Sequence, residues 1–154
     1  MSVFVTVGTT KFEELIKAID TDEVLEALRD QGLTKVLCQI GNGEFTPESE
    51  FFRFSPSLDE FMENADLIIS HAGAGSILEA LRKNKKLIVV VNQKLMDNHQ
   101  LEIAKELSDR NHLIMCENPD ELSSAVRKLE TAEIKPLPPS NTQELMQEIV
   151  DLLN

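Results

Sequence analysis

The stretch Leu67-Ile68-Ile69-Ser70-His71-Ala72-Gly73-Ala74-Gly75-Ser76-Ile77-Leu78-Glu79-Ala80-Leu81-Arg82-Lys83 decides the fold. It opens on a continuous apolar run, the pattern of a strand buried on both faces. From Ser76 to Lys83 the spacing changes to the 3.6-residue period of a helix. The same change recurs along the chain. Apolar runs at Val3 to Val7, Val36 to Ile40, Phe51 to Phe54, Leu87 to Val91 and Leu113 to Cys116 predict further strands. Helices are expected where Phe12, Leu15, Ile16 and Ile19 share a face, with Thr10-Lys11-Phe12-Glu13 at capping-box spacing, and from Asp22 to Gln31, with Gly32 as the C′ glycine. Others are expected from Ser57, from Asn98 to Ser108, and from Asn118-Pro119-Asp120-Glu121, which joins a cap to an N1 proline. Apolar strands alternating with helices imply an α/β fold, a doubly wound, Rossmann-like parallel sheet. Such sheets bind ligands outside the carboxyl ends of their strands, so the loops after Val7, Ile40, Phe54, Ile69 and Val91 are where chemistry is sought.

Composition bounds the rest. The chain has 154 residues, enough for one globular domain that buries roughly 68–70% of its unfolded surface without metal or disulfide staples. Its 15 basic residues against 27 acidic ones give a net charge of −12, which opposes binding to nucleic acid or bare anionic lipid. Cys38 and Cys116 have no zinc or redox spacing and sit in apolar runs, so both read as buried, reduced thiols. The N-terminus opens directly as a strand, without a basic n-region, and no apolar run approaches the roughly 20 residues of a membrane span. A soluble, cytosolic chain is expected. Residues 1–133 form the Rossmann-like domain; residues 134–154 hold a proline-rich linker, Ile134 to Pro139, and an amphipathic helix, Asn141 to Leu153. That helix either packs on its own domain or offers its Leu145, Ile149 and Leu152 stripe to another subunit.

Ser70 to Ser76 is the loop richest in chemistry. Glycines at a strand-to-helix turn let main chain approach a ligand, and the helix start offers unpaired N–H groups and a positive dipole end, so Gly73, Ala74, Gly75 and Ser76 can face a phosphate. Glu79 either accepts hydrogen bonds from ribose hydroxyls or completes a capping box with Ser76. His71 is either a ligand contact or a loop histidine bonded to main chain. After the strand at Leu87 to Val91 comes Asn92-Gln93-Lys94-Leu95-Met96-Asp97-Asn98-His99-Gln100. Its amides match sugar hydroxyls because each is both donor and acceptor, which makes Asn98 and Gln100 candidates, with Asp97 or Asn98 alternatively a helix cap. Gly8, Thr9 and Thr10 stand at another strand end and line the same cleft, although Thr10 also reads as an N-cap. Gly41-Asn42-Gly43 reads as a turn. Asp20-Thr21-Asp22 has the Asp-x-Asp pattern of metal-dependent sugar transferases but lies between helices, where Thr21 or Asp22 serves as a cap.

Val5-Thr6-Val7-Gly8-Thr9-Thr10, then Ile69 to Glu79, then Val91-Asn92 and Leu95-Met96-Asp97-Asn98-His99-Gln100 closely resemble the catalytic subunits of the two-subunit UDP-N-acetylglucosamine transferase of dolichol-linked oligosaccharide synthesis. The match runs in order to about residue 116. More distantly the chain is similar to the carboxyl-terminal half of the bacterial lipid-linked N-acetylglucosaminyltransferase of cell-wall synthesis. Both resemblances imply the GT-B architecture, two Rossmann-like halves facing across a cleft, of which this chain is one. They imply that Glu79 holds the ribose, that Gly73 to Ser76 face the nucleotide, that Gln100 holds the sugar, that Ser55 lends main-chain groups to uracil, and that Gly8 to Thr10 line the cleft.

The resemblance further implies a membrane-anchored, acceptor-binding partner subunit that recruits this chain to the cytosolic face of the endoplasmic reticulum. With it comes an inverting transfer from UDP-N-acetylglucosamine to N-acetylglucosamine on dolichyl diphosphate, without cofactor or metal. The general base is expected on the partner, with His71 and His99 as local alternatives. A nicotinamide- or flavin-binding oxidoreductase domain is the rival reading. It calls for a third glycine where Leu78 stands and an acidic residue where Asn92 stands. A non-catalytic sugar-nucleotide-binding module is the other.

Overall fold

The apolar runs become β1 (Ser2–Thr6), β2 (Lys35–Gln39), β3 (Glu50–Phe52), β4 (Leu67–His71), β5 (Lys86–Val90) and β6 (Ile114–Cys116). The helices are α1 (Glu13–Ile19), α2 (Asp22–Arg29), α3 (Asp59–Asn64), α4 (Ala74–Arg82), α5 (Asn98–Asp109) and α6 (Leu122–Lys128). This computed structural model describes residues 1–92 and 98–135, together with Glu144, Gln147 and Asp151. Every strand pair is parallel, in the order β3-β2-β1-β4-β5-β6. Alternate residues of the buried strands feed two cores. Val3, Val5, Ile69 and Val90 pack with Leu15, Leu28 and Val126 of α1, α2 and α6. Phe4, Ile68 and Val89 pack with Met62, Ile77 and Leu107 of α3, α4 and α5.

Several strands begin one residue earlier than the apolar pattern predicts. Lys35, Glu50 and Lys86 join the ladder through main chain while their side chains stay in water, so hydropathy does not register them. β3 also ends sooner, at Phe52, and Phe54 is 52% exposed beyond it. The predicted capping box at Thr10 does not form, nor does the alternative one between Ser76 and Glu79. Thr10 Oγ1 donates to the Val7 carbonyl, and Glu13 accepts from the Glu44 and Phe45 N–H groups. α1 therefore starts after Phe12, without a side-chain cap. Gly73, extended at φ −80° and ψ 127°, is the N-cap of α4, which begins two residues before Ser76 and leaves Ser76 within its first turn.

α2 stops at Arg29, short of Gln31. Gly32 then takes φ +77°, as its reading as a terminating glycine expects, and its N–H donates to the Arg29 carbonyl. Thr21 caps α2 through the Val24 N–H, and Asp20 accepts from the Glu48 N–H, so Asp20-Thr21-Asp22 is engaged in folding the chain. Asn118 caps the 3-10 turn Pro119–Glu121 ahead of α6. Cys38 and Cys116 are buried and free; burial pushes their thiols up to about 12 and about 11. At the expected domain boundary Ile134 packs on the first core, and the Lys135 N–H donates to the Asn111 carbonyl. The predicted helix Asn141 to Leu153 and the prolines before it lie outside the described residues.

Candidate functional site

From β1 the sheet grows outward through β2 and β3, then restarts on the other side with β4, so the chain reverses between β1 and β4. At that reversal one cross-strand row is polar. Gln39 of β2 pairs with Thr6 of β1, and Thr6 with Ser70 of β4, all three buried. Buried polar groups persist where they are hydrogen-bonded, and Gln39 is fully used. Its Oε1 accepts from Thr6 Oγ1, from the Val7 N–H at 3.1 Å and from the Gly8 N–H at 2.9 Å. Its Nε2 donates to the Gly8 carbonyl at 2.8 Å and the Arg53 carbonyl at 2.7 Å. One amide thus fastens the ends of β1, β2 and β3. Sequence reasoning missed it because Gln39 sits inside an apolar run; a lone amide among strand residues, just before Gly41, was the available signal.

Gly8 has φ +65°, a conformation glycine adopts without steric cost. The His71 ring fills the space beside it. A Cβ on Gly8 would lie 2.7 Å from His71 Cε1, and one on Gly73 would lie 2.5 Å from His71 Nε2. The imidazole is therefore wedged between the first loop and the glycine turn. Gly8, Thr9 and Thr10 do share a locality with His71 and Gly73, with Thr9 and Thr10 exposed. Burial holds the His71 pKa below the ordinary histidine value, against the pull of the nearby Thr6 carbonyl, and so favours the neutral ring. That carbonyl does not reach hydrogen-bonding geometry with Nδ1, which is buried and has no partner among the described residues.

α4 leaves the turn with no cap from the side chain of its N-cap residue, so the N–H groups of Ala74, Gly75 and Ser76 have no acceptor within their own helix and stand at the positive end of its dipole. Gly75 has open space where a Cβ would be. Glu79 lies on the next turn, with its side chain 39% exposed and Lys83 Nζ at 3.8 Å. Lys83 also reaches Glu63 of α3 at 3.0 Å, which turns this face of α4 toward α3. The segment leading into α3 contains Ser55, half-buried just beyond β3. Ser76 having no capping role, Glu79 is not its capping-box partner.

Asn98, His99 and Gln100 form the first turn of α5, after the carboxyl end of β5; their side chains and residues 93–97 lie outside the described set. Nearby, a cavity of about 210 Å³ is lined by Phe12, Glu14, Asn92, Glu117 and Asn118. A larger one, about 640 Å³, opens at the opposite, amino edge between Ser2, Phe4, Lys35, Leu37 and Phe61, away from every predicted site residue. Among the described residues no group of three or more His, Cys, Asp or Glu side chains is placed to hold a metal ion.

Residues 2–153 match the glycosyltransferase family 28 C-terminal domain. The UDP-N-acetylglucosamine transferase subunit ALG13 of Saccharomyces cerevisiae is 30% identical over 193 residues, covering 99% of this chain and 96% of that protein. The chain belongs to the ALG13 family. The human ALG13 is 47% identical over 122 residues, which span 74% of this chain and 11% of the human protein. An NMR solution structure of ALG13 superposes with a TM-score of 0.76 at 26% identity, covering 99% of this chain and 96% of that one. The Acinetobacter baumannii MurG crystal structure superposes at a TM-score of 0.64 and 18% identity, with this chain covering 49% of it. The ALG13-family fold is thus one half of a GT-B glycosyltransferase. Among the described residues no helix is long and apolar enough to cross a membrane.

Proposed function

We propose that this chain is the donor-binding catalytic subunit of an inverting N-acetylglucosaminyltransferase. It holds UDP-N-acetylglucosamine at the carboxyl edge of its sheet and works with a membrane-anchored partner that binds the acceptor, the N-acetylglucosamine of a dolichyl diphosphate. The observation that carries this reading is the start of α4 at Ala74, which leaves N–H groups without acceptors in their own helix beside glycines and frees Glu79 from a capping box with Ser76. The diphosphate sits against Ala74, Gly75 and Ser76, the ribose hydroxyls donate to Glu79, and uracil meets main chain near Ser55. Gly8 to Thr10 and His71 close the other side, and Asn98 and Gln100 reach the sugar. Family membership supports a UDP-N-acetylglucosamine donor and weighs against the dinucleotide-oxidoreductase alternative.

In the reaction the acceptor 4-hydroxyl attacks the anomeric carbon from the face opposite the leaving UDP, and a general base takes the hydroxyl proton. Charge grows on the departing diphosphate. The fixed N–H groups and dipole of α4 stabilise it without a divalent ion, because they already point at the charge and need no reorganisation. The base belongs to the partner, which supplies the acceptor half; His71 and His99 are the alternatives on this chain. The proline segment and the predicted helix Asn141 to Leu153 are the candidates for docking that partner, with packing on the chain's own domain the alternative for the helix, and the partner brings the complex to the cytosolic face of the endoplasmic reticulum.

Calorimetry with UDP-N-acetylglucosamine, UDP and NAD tests the reading. Binding of the two uridine ligands and none of NAD is expected, with transfer only after the partner is added. Glu79→Gln should weaken donor binding by about 2 kcal/mol, the scale of a lost charge-assisted hydrogen bond. Full affinity and full activity of that variant in the reconstituted heteromer would overturn the assignment. Donor binding without transfer under any partner condition would leave the binding-module alternative standing instead.

A further inference from the structure

We propose that Gln39, buried beneath the site and out of reach of any ligand, is the positioning residue that sets the donor pocket's shape. The inference rests on the donor reading above. Gln39 is 1% exposed, and its amide engages both the N–H and the carbonyl of Gly8, which fixes that peptide at φ +65°. Gly8 in turn bounds the His71 ring, and His71 bounds Gly73, the cap residue of α4. A displacement of Gly8 is therefore passed by close contact to the turn that faces the diphosphate. Through the Arg53 carbonyl the same amide holds the end of β3, two residues before Ser55. Arg53 extends the fastening, its Nη1 donating to the Gly41 and Gly43 carbonyls. Thr6 Oγ1 also accepts from the Gly8 N–H, at 3.2 Å, but only the Gln39 side chain joins all three of the loops assigned to the donor, and it touches none of it.

Gln39→Met keeps the length and removes every polar bond. Donor affinity is read by calorimetry on the full chain, and KM and kcat on the heteromer, with Val126→Ala as a control at a buried α6 position. Gln39→Met should raise the dissociation constant and KM for UDP-N-acetylglucosamine about tenfold, with kcat within about threefold, since small misplacements of binding groups cost this much or more. At an equal loss of thermal stability Val126→Ala should change affinity less than about twofold. Unchanged affinity in folded Gln39→Met, or an equal loss in Val126→Ala, overturns the proposal while leaving the donor reading intact. Should Gln39→Met not fold, Thr6→Val, which deletes one donor to Gln39 Oε1 together with the bond Thr6 Oγ1 accepts from the Gly8 N–H, should weaken binding about threefold, and no change would overturn the proposal. Failure of the wild-type chain to bind any uridine ligand removes the donor reading and this inference together.

Discussion

On the β1–β2–β3 side of the chain reversal, the loops are tied by hydrogen bonds. Gln39 holds Gly8 and Arg53, Arg53 holds Gly41 and Gly43, and Glu13 holds Glu44 and Phe45. On the β4 side the turn before α4 carries no side-chain cap, the N–H groups after it have no acceptors in their own helix, and contact comes from the His71 ring against two glycines. One region spends its polar groups on itself and the other keeps them available. The difference separates scaffold from contact surface, although both lie at the same edge of one sheet. Substitutions on the first side should cost stability, and ligand only indirectly through the loops that side positions; those on the second should cost ligand directly.

Gly41→Ala should give the largest effect on folding. Gly41 stands at φ +62°, and an added Cβ would collide with the Thr10 carbonyl, a main-chain atom that cannot swing aside. The Gly41 N–H and carbonyl are both bonded to Arg53, so the turn has little freedom to relax. A loss of about 3 kcal/mol is expected from the backbone strain and the clash together, read as a lower urea midpoint at unchanged slope. A loss below about 0.5 kcal/mol, the range of ordinary surface changes, would break the contrast between the two sides.

A smaller effect follows from pH. Burial lowers the His71 pKa in the folded chain, while the unfolded chain keeps a value of about 6.5. The unfolded state therefore binds the proton first as pH falls. Stability is fully present above pH of about 6.5, declines below it, and levels off once the folded ring also protonates. Urea midpoints measured from pH 7.5 down to 5.5 should fall more steeply for the wild-type chain than for His71→Gln. Parallel slopes would show that burial does not lower the pKa of the ring in the folded chain.

The sheet and most helices were legible because continuous apolar runs and 3.6-residue spacing report burial, which is what fixes strands and helices in a doubly wound fold. Main-chain hydrogen bonding is reported less well. Lys35 and Lys86 extend strands with their side chains in water, and Thr10 and Ser76 stand at capping-box spacing yet cap nothing. In both failed boxes a neighbour took over: Gly73 supplied an extended N-cap before Ser76, and Glu13 went to a loop 31 residues away. Within the candidate site, the residues at strand ends were legible from the rule that ligands bind there. Gln39 was not, because its partners are main-chain groups brought together only when three strands align.

Gly75→Ala sets the two effects against each other at one atom. Gly75 is the second residue of α4, and nothing lies within 4 Å of the place its Cβ would take. Replacing glycine by alanine in a helix reduces the freedom of the unfolded chain and raises helix propensity. The folded state should therefore gain about 0.5 kcal/mol, less than in a helix interior because the position lies in the first turn. The new methyl group also stands where the proposed diphosphate approaches main chain, so donor affinity should fall as thermal stability rises. Opposite signs in the two measurements, on a single purified variant, are what a contact surface requires. A gain in stability with undiminished donor affinity would move the diphosphate away from this helix start, and a loss of stability would mean that the turn is scaffold after all.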